Sequence, residues 1–526
     1  MDNQLLYIML VVYLGITVLL GYLGYRHTKS AKDYMIAGGN VHPVLMALAY
    51  GSTFISTSAI VGFGGAAGVY GMSLLWLTAF NIFVGIFVAF VFFGVRTRQI
   101  AYELQVKTFP EFLGARFDSP FIRKFSAGVI SLTMPLYAAA VMIGGARYME
   151  EALNMSYTSA LTIFALIVLA YVFFGGLRGV IYTDAMQGVI MFAGMAALVI
   201  LTYSALGGVT PAHSKLEALK QLVPAGLAAK GHLGWTAMPA FGSEIWWFVI
   251  STLILGVGIG VLAQPQLAVR FMTVASSQDI YKGLSIGSIF ILFMTGVAFT
   301  VGALSNVYFM EHGGTLALAA TAVGGVAPNV DKIIPLFITQ AMPEWLKYLF
   351  LFTLLSAAMS TLSGQFHIIS TSISYDLNPK QGRSDKRTLL LARLGTLFGF
   401  VLTIALALKL PFGVIAVATA LFFGLCTSAF LPMYTAALYW PKITPAGAIS
   451  SMVIASVIYL CLVLFVHEKE ATIFGVCFNL FGVNTLAIAP WTYIDPLVIT
   501  LPISAFVLVA VSLLTQPVSQ AVTEGR

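Results

Sequence analysis

The sequence predicts an all-α integral membrane protein, and three observations lead there. Of the 526 residues, 59% are hydrophobic and only 9% charged, whereas an ordinary soluble domain carries about 25% charged residues. Apolar stretches long enough to cross about 30 Å of hydrocarbon recur along nearly the whole chain. Unpaired backbone groups are too costly in lipid for anything but helices or closed barrels, and the period-two alternation of a barrel is missing. The mean hydropathy of +0.93 agrees.

The apolar stretches fall near 5–25, 43–70, 73–95, 125–149, 158–175, 180–206, 244–268, 283–309, 345–375, 389–408, 412–439, 445–466 and 493–515, about thirteen spans. The first begins MDNQLLYIMLVVYLG, with no basic region ahead of it and a core too long for a signal peptide. It reads as an uncleaved helix. The longest connections, 207–243 and 310–344, are rich in Gly, Pro and Ala and are expected to hold short helices that cap a vestibule. Residues 516–526 form a polar tail. All of 1–515 reads as one polytopic domain.

The net charge of +7 is spread over short loops rather than gathered on a face, which argues against a nucleic-acid partner. Cys426, Cys461 and Cys477 form no CxxC, and HExxH and Walker A motifs are absent. No His, Cys or acidic cluster gathers at one depth, so the chain is not read as an enzyme and no residue as catalytic. With the N-terminus outside, nineteen Lys and Arg fall on the inner side and eight on the outer. That asymmetry follows the positive-inside rule. It predicts a multi-pass protein of a plasma (inner) membrane with a cytoplasmic C-terminus.

Three features could carry chemistry. In AYGSTFISTSAIVGFGG, the hydroxyl residues Ser52, Thr53, Ser56, Thr57 and Ser58 crowd seven positions at mid-depth. A helix broken there would expose carbonyls to an ion or solute; packing between small residues is the other reading. In LLSAAMSTLSGQ, Ser356, Ser360 and Ser363 share one helical face with Thr361 adjacent, and neutral hydroxyls suit a hard cation. Asp184 sits in GGLRGVIYTDAMQGVIM inside an otherwise carboxylate-free span, which makes it a functional candidate. It could instead pair with Arg178 near the interface. The glycines and Pro265 of LGVGIGVLAQPQ could unwind 244–268 as the partner of 43–70 in an inverted repeat.

GGLRGVIYTDAMQGVIM, AAMSTLSGQ and AQPQLAVRFM, in this order, resemble the sodium/solute symporter family over roughly 5–515. The resemblance implies a leucine-transporter-type core of two inverted five-helix repeats, 43–206 and 244–439, with extra helices 5–25, 445–466 and 493–515. It implies a sodium site made by the carbonyls of Ser52, Ile55 and Ala357 and the hydroxyls of Ser360 and Thr361. Asp184 and Ser363 match a possible second ion or coupling site, although Gly364 stands where members with a second sodium place another serine. The solute site implied at the first break nominates Ser56, Thr57, Ser58 and Asn81, with Thr427 and Ser428 from a later helix. Proline transporters carry an aspartate in that break, where this chain has Phe54. The resemblance is nearer to the pantothenate and monocarboxylate branches. The expected activity is sodium-coupled import of a small carboxylate by alternating access. The rivals are proton coupling through Asp184 or His367, and a neutral or zwitterionic solute.

Overall fold

A computed structural model of the chain describes residues 3–26, 31–172, 177–322, 327–378 and 385–516. The expected tail lies almost wholly outside the described residues, as does the side chain of Arg178. Among the described residues there is no strand, only one bridge pair, Val41 with Val274.

The helices that matter below are α1 (Asn3–Arg26), α2 (Pro43–Phe54), α3 (Gly64–Tyr70), α4 (Leu75–Ile82), α5 (Pro120–Leu153), α6 (Tyr157–Val172), α7 (Leu177–Ala205), α8 (Glu244–Trp247) and α9 (Pro265–Phe271). They are followed by α10 (Ser277–Gly313), α11 (Glu344–Thr371), α12 (Asp385–Lys409), α13 (Ile415–Tyr439), α14 (Pro445–Phe465), α15 (Glu468–Phe474) and α16 (Pro496–Thr515). Eleven helical stretches among the described residues are long and apolar enough to cross a membrane, and two shorter apolar helices accompany them. The count differs from thirteen because the 158–175 stretch is represented by the shorter helix Tyr157–Leu169 and the 43–70 stretch is cut. Its second part runs with the next span as one helical stretch, Ser58–Glu103. The reversal inside that stretch is at Gly71, whose φ of +74° is a conformation open chiefly to glycine.

Many starts are written in the sequence as a capping residue followed by proline. Ser119, Thr444 and Asp495 each accept a backbone N–H from the first turn of α5, α14 and α16, with proline at the first helical position. The caps satisfy donors the helix cannot, and proline there loses nothing. The same proline ends the helix before it. Gln264, ahead of Pro265, is extended with ψ 115°, because proline disfavours the helical region for its predecessor. The 244–268 stretch thus breaks between Ala263 and Pro265, after wide π turns over Phe248–Gly256.

α2, α7 and α11 pack on one another, and α10 lies across α2 and α3. α11 and α13 are buried along almost their whole length, whereas α1 lies on the outside of the bundle against α7. The last helices close the far side through a hydroxyl seam. Ser451 Oγ lies 2.9 Å from Ser504 Oγ, Thr444 Oγ1 is 2.7 Å from Thr515 Oγ1, and Ser428 Oγ is 2.5 Å from Thr500 Oγ1.

Glycine allows a close backbone approach between α3 and α10. A Cβ on Gly302 of α10 would stand 2.0 Å from the Gly64 carbonyl oxygen, whereas one on Gly296 would meet nothing within 4 Å. Gly302→Ala is therefore expected to cost about 1–3 kcal/mol by overpacking and to lower the melting temperature of the purified protein. Gly296→Ala leaves it unchanged. Equal melting temperatures for the two variants would contradict the α3–α10 contact.

Candidate functional site

The first break supplies the centre of the site. α2 ends at Phe54, and Ile55 turns extended (φ −85°, ψ 98°) while its N–H still bonds the Gly51 carbonyl. Carbonyls at a helix end have no intrahelical partner, and here they lie in the middle of a bundle. α11 answers them. Ser360 Oγ donates to the Ser52 carbonyl at 2.8 Å and also stands 3.2 Å from that of Ala357. Thr361 Oγ1 donates to the Thr53 carbonyl at 3.1 Å. Three of the five residues expected around sodium (Ser52, Ala357 and Ser360) are thus joined through the Ser360 hydroxyl, and Thr361 reaches the break through the carbonyl of Thr53, which sequence reasoning did not include. Ile55 is buried at the same break. Oxygens without formal charge suit a hard alkali cation in an apolar setting, since no buried anion remains when the ion leaves.

Directly beside this cluster is a charged one. Arg270 Nη2 of α9 donates to Asp184 Oδ2 of α7 at 2.7 Å, with side-chain exposures of 1% and 0%. It also donates to Thr53 Oγ1 at 2.9 Å, and Thr53 Oγ1 lies 3.3 Å from Asp184 Oδ2. Ser363 Oγ is 3.5 Å from Asp184 Oδ1 and donates to the Ser360 carbonyl at 3.0 Å. Asp184 and Ser363 are thus brought together, and the cation between them and Thr53 is a guanidinium. Arg270 was counted among the inner-loop residues and is instead buried at the second break. Gly364 packs against the same cluster: a Cβ there would press on Thr53 Cγ2 at 3.2 Å and meet Arg270 Nη2 in ordinary contact at 3.6 Å.

The residues nominated for the solute divide. Ser56, Ser58 and Asn81 line a small cavity with Phe54, Tyr137, Thr295 and Thr419. Tyr137 OH lies 3.4 Å from Ser56 Oγ, Ser58 Oγ is 2.5 Å from Thr419 Oγ1, and Asn81 Oδ1 is buried with no hydrogen-bond partner among the described residues. Thr57 turns aside to the Val141 carbonyl of α5 at 2.5 Å. Thr427 and Ser428 do not line the cavity: Thr427 bonds the Phe423 carbonyl of its own helix and Ser428 belongs to the seam with Thr500. Thr419, two turns earlier on α13, stands where they were expected. Tyr137 and Thr419 gave no signal in the sequence, each being an isolated hydroxyl with apolar neighbours on both sides. His367 is packed against Tyr34 with ring centroids 5.3 Å apart.

The cavity holds about 20 Å³, room for roughly one water, so a solute enters only if the helices part. Towards the end of the bundle capped by 207–243 and 310–344, a larger cavity of about 470 Å³ opens above it. The opposite end is closed by ionic contacts. Arg123 bonds Asp376 at 2.9 Å and lies 3.4 Å from Glu111, while Thr108 Oγ1 donates to the same Asp376 oxygen at 2.9 Å.

Removing one partner of a buried pair leaves the other uncompensated, at about 3–5 kcal/mol. Asp184→Asn and Arg270→Gln singly are each expected to lower the melting temperature strongly. The double variant should be more stable than the sum of the single losses predicts. A strictly additive double-mutant cycle would show that the two charges do not interact.

The model of the sodium:solute symporter family matches residues 34–455. The chain is similar to the sodium/pantothenate symporter of Haemophilus influenzae, 29% identical over 467 residues covering 86% of this chain and 89% of that protein. It is similar also to the sodium/proline symporter of Escherichia coli K12, 28% identical over 451 residues and covering 85% of each. Its fold is that of a Na+-coupled sialic acid symporter solved in a substrate-bound outward-open state. That match has a TM-score of 0.76 at 17% identity and covers 98% of this chain and 99% of the other. A family match over most of the chain, carried by a leucine-transporter-type helical fold broken at the two expected places, makes this protein a member of the sodium:solute symporter family.

Proposed function

We propose that this sodium-coupled solute symporter imports a small organic carboxylate, pantothenate or a short monocarboxylate, by alternating access. One observation carries the ion assignment: the open carbonyls of Ser52 and Thr53 at the α2 break face the hydroxyls of Ser360 and Thr361. In this reading sodium enters between them. It takes the carbonyl oxygens of Ser52, Ile55 and Ala357 and the two hydroxyl oxygens as ligands, in exchange for the hydrogen bonds that hold the break without it. Asp184 and Ser363 form a coupling element rather than a second ion site, because Arg270 already supplies the positive charge beside them.

The solute is assigned to the cavity at Ser56, Ser58 and Asn81, with Thr57 acting behind it. No charged side chain lines that cavity, which suits a carboxylate arriving together with its sodium as an electrically neutral load. The Haemophilus relative's name supports the pantothenate choice. We read 43–206 and 244–439 as the two inverted repeats, each beginning with a broken helix. The N-terminus is outside a bacterial-type inner membrane and the 470 Å³ cavity is the external vestibule. The contacts of Arg123 with Asp376 then form the cytoplasmic closure that must open to release the load.

Ser360→Ala and Thr361→Ala should each raise the sodium concentration for half-maximal uptake about tenfold, equivalent to about 1.4 kcal/mol. Unaltered sodium dependence in both variants removes the proposed site. The test of substrate and coupling is uptake into proteoliposomes at fixed pH, with labelled pantothenate, pyruvate, acetate, proline and glucose. Sodium-driven accumulation of a carboxylate is expected. A proton gradient that drives uptake equally well without sodium would overturn the ion assignment.

One sodium moving with one monovalent anion carries no net charge. A tenfold sodium gradient then supports about tenfold accumulation, and an imposed membrane potential should leave the initial rate unchanged. A neutral solute would gain about 2.3 kcal/mol per 100 mV, so a rate that climbs steeply with potential would point to that rival.

A further inference from the structure

The vestibule is walled in part by sequence that lies beyond residue 455, where the family match ends. His467 and, from α15, Glu468, Lys469, Thr472 and Ile473 line it together with Thr492 and Tyr493. Its floor is apolar, with Gly62, Ala66, Phe248, Leu253, Ala416 and Val417, and a volume of about 470 Å³ is typical of a small-molecule site. The floor residues come from the same helical segments that line the inner cavity a turn or two deeper.

The charges around this space are engaged, with one informative exception. Lys230 bonds Glu244 at 2.7 Å, and His467 bonds Glu470. Asp331 is buried near the backbone at the start of α13 and feels the charge of Arg147, with its Oδ2 unpartnered among the described residues. Glu468 is exposed to solvent. Lys469 makes no ion pair with a carboxylate among the described residues. Its ammonium instead lies over the Phe248 ring, 2.9 Å from the centroid, and 5.9 Å from that of Tyr70. An aromatic face attracts a cation without neutralising it. The lysine therefore presents its charge and its remaining N–H donors to the lumen. Burial lowers its pKa to about 7, against the raising influence of Glu470 and Glu244; a bound anion would hold the proton on.

We propose that Lys469 is an external docking point for the carboxylate of the solute, which rests on the apolar vestibule floor with its anionic end on the ammonium before it descends to the cavity at Ser56 and Asn81. The inference rests on the carboxylate reading above. It gives the protein a second solute station, built by a segment outside the family match. Because the lysine leans on Phe248 after the start of one broken helix and on Tyr70 at the end of the other's second half, an anion that draws it away frees both rings.

The test uses the full chain in nanodiscs in sodium-free potassium buffer, with radiolabelled pantothenate and pyruvate as probes, alongside initial rates of sodium-driven uptake in proteoliposomes. Lys469→Gln should raise the dissociation constant and the KM about tenfold, with kcat and the sodium half-saturation within twofold of the parent. Lys469→Arg, which keeps the charge, should restore both to within about threefold. If sodium-driven uptake of either probe proceeds with the same KM in Lys469→Gln, the docking point is wrong and the carboxylate function stands. If the parent protein binds neither probe without sodium yet transports one, the docking point is likewise overturned. If it neither binds nor accumulates either anion and accumulates a neutral solute, the carboxylate function falls and the docking point with it.

Discussion

Everything at the centre of this protein follows from a helix that stops inside the bundle. Stopping α2 at Phe54 leaves carbonyl oxygens without amide partners in surroundings that offer no water, a situation a membrane-embedded chain must resolve internally. It is resolved by the hydroxyls of Ser360 and Thr361, one helix away. α11 is consequently fixed in register and rotation against α2, and α7 is drawn against both. The same few oxygens are what an alkali ion needs. Their hydrogen bonds make the ion-free arrangement a satisfied one, so ion affinity is a difference between two satisfied states rather than the relief of a strained one.

The second constraint is electrostatic. A carboxylate at Asp184 is expensive in this setting, and Arg270 supplies both the opposite charge and a directed hydrogen bond. Thr53 belongs to both networks: its carbonyl accepts from Thr361 and its hydroxyl from Arg270. Through Thr53, movement of α9 relative to α7 reaches the ion ligands on α2 and α11 without any long chain of intermediaries. The two broken helices are thus joined at their broken ends, where relative motion does most to open or close a path.

The fold was legible in the sequence because length and hydropathy act over tens of residues and survive errors at any one position. Boundaries were less legible: the stretches expected from 125 and 493 begin instead at Pro120 and Pro496, each behind a capping residue. The hydroxyl clusters were legible as places of interest, but their chemistry was ambiguous: Ser360 and Ser428 look alike in sequence, yet one meets an open carbonyl and the other meets Thr500 in a packing seam. Arg270 was misread because a basic residue near the end of a span ordinarily marks the interface. Only the break before Pro265 turns that short helix inward. Tyr137 and Thr419 reach the inner cavity, and Lys469 the larger one, by virtue of tertiary packing alone, and no local pattern announces them.

The hydroxyl seam of the last helices bears on how the chain is made. Thr500 and Thr515 on α16 each bond a carbonyl four residues back as well as a hydroxyl across the seam. Each can therefore enter the bilayer with its proton already satisfied and acquire its second partner afterwards. Ser504 faces Ser451 of α14, the preceding helix long enough to span the membrane. The hairpin of α14 and α16 can thus pair through its own hydroxyls, and Ser428 with Thr500 joins that pair to α13.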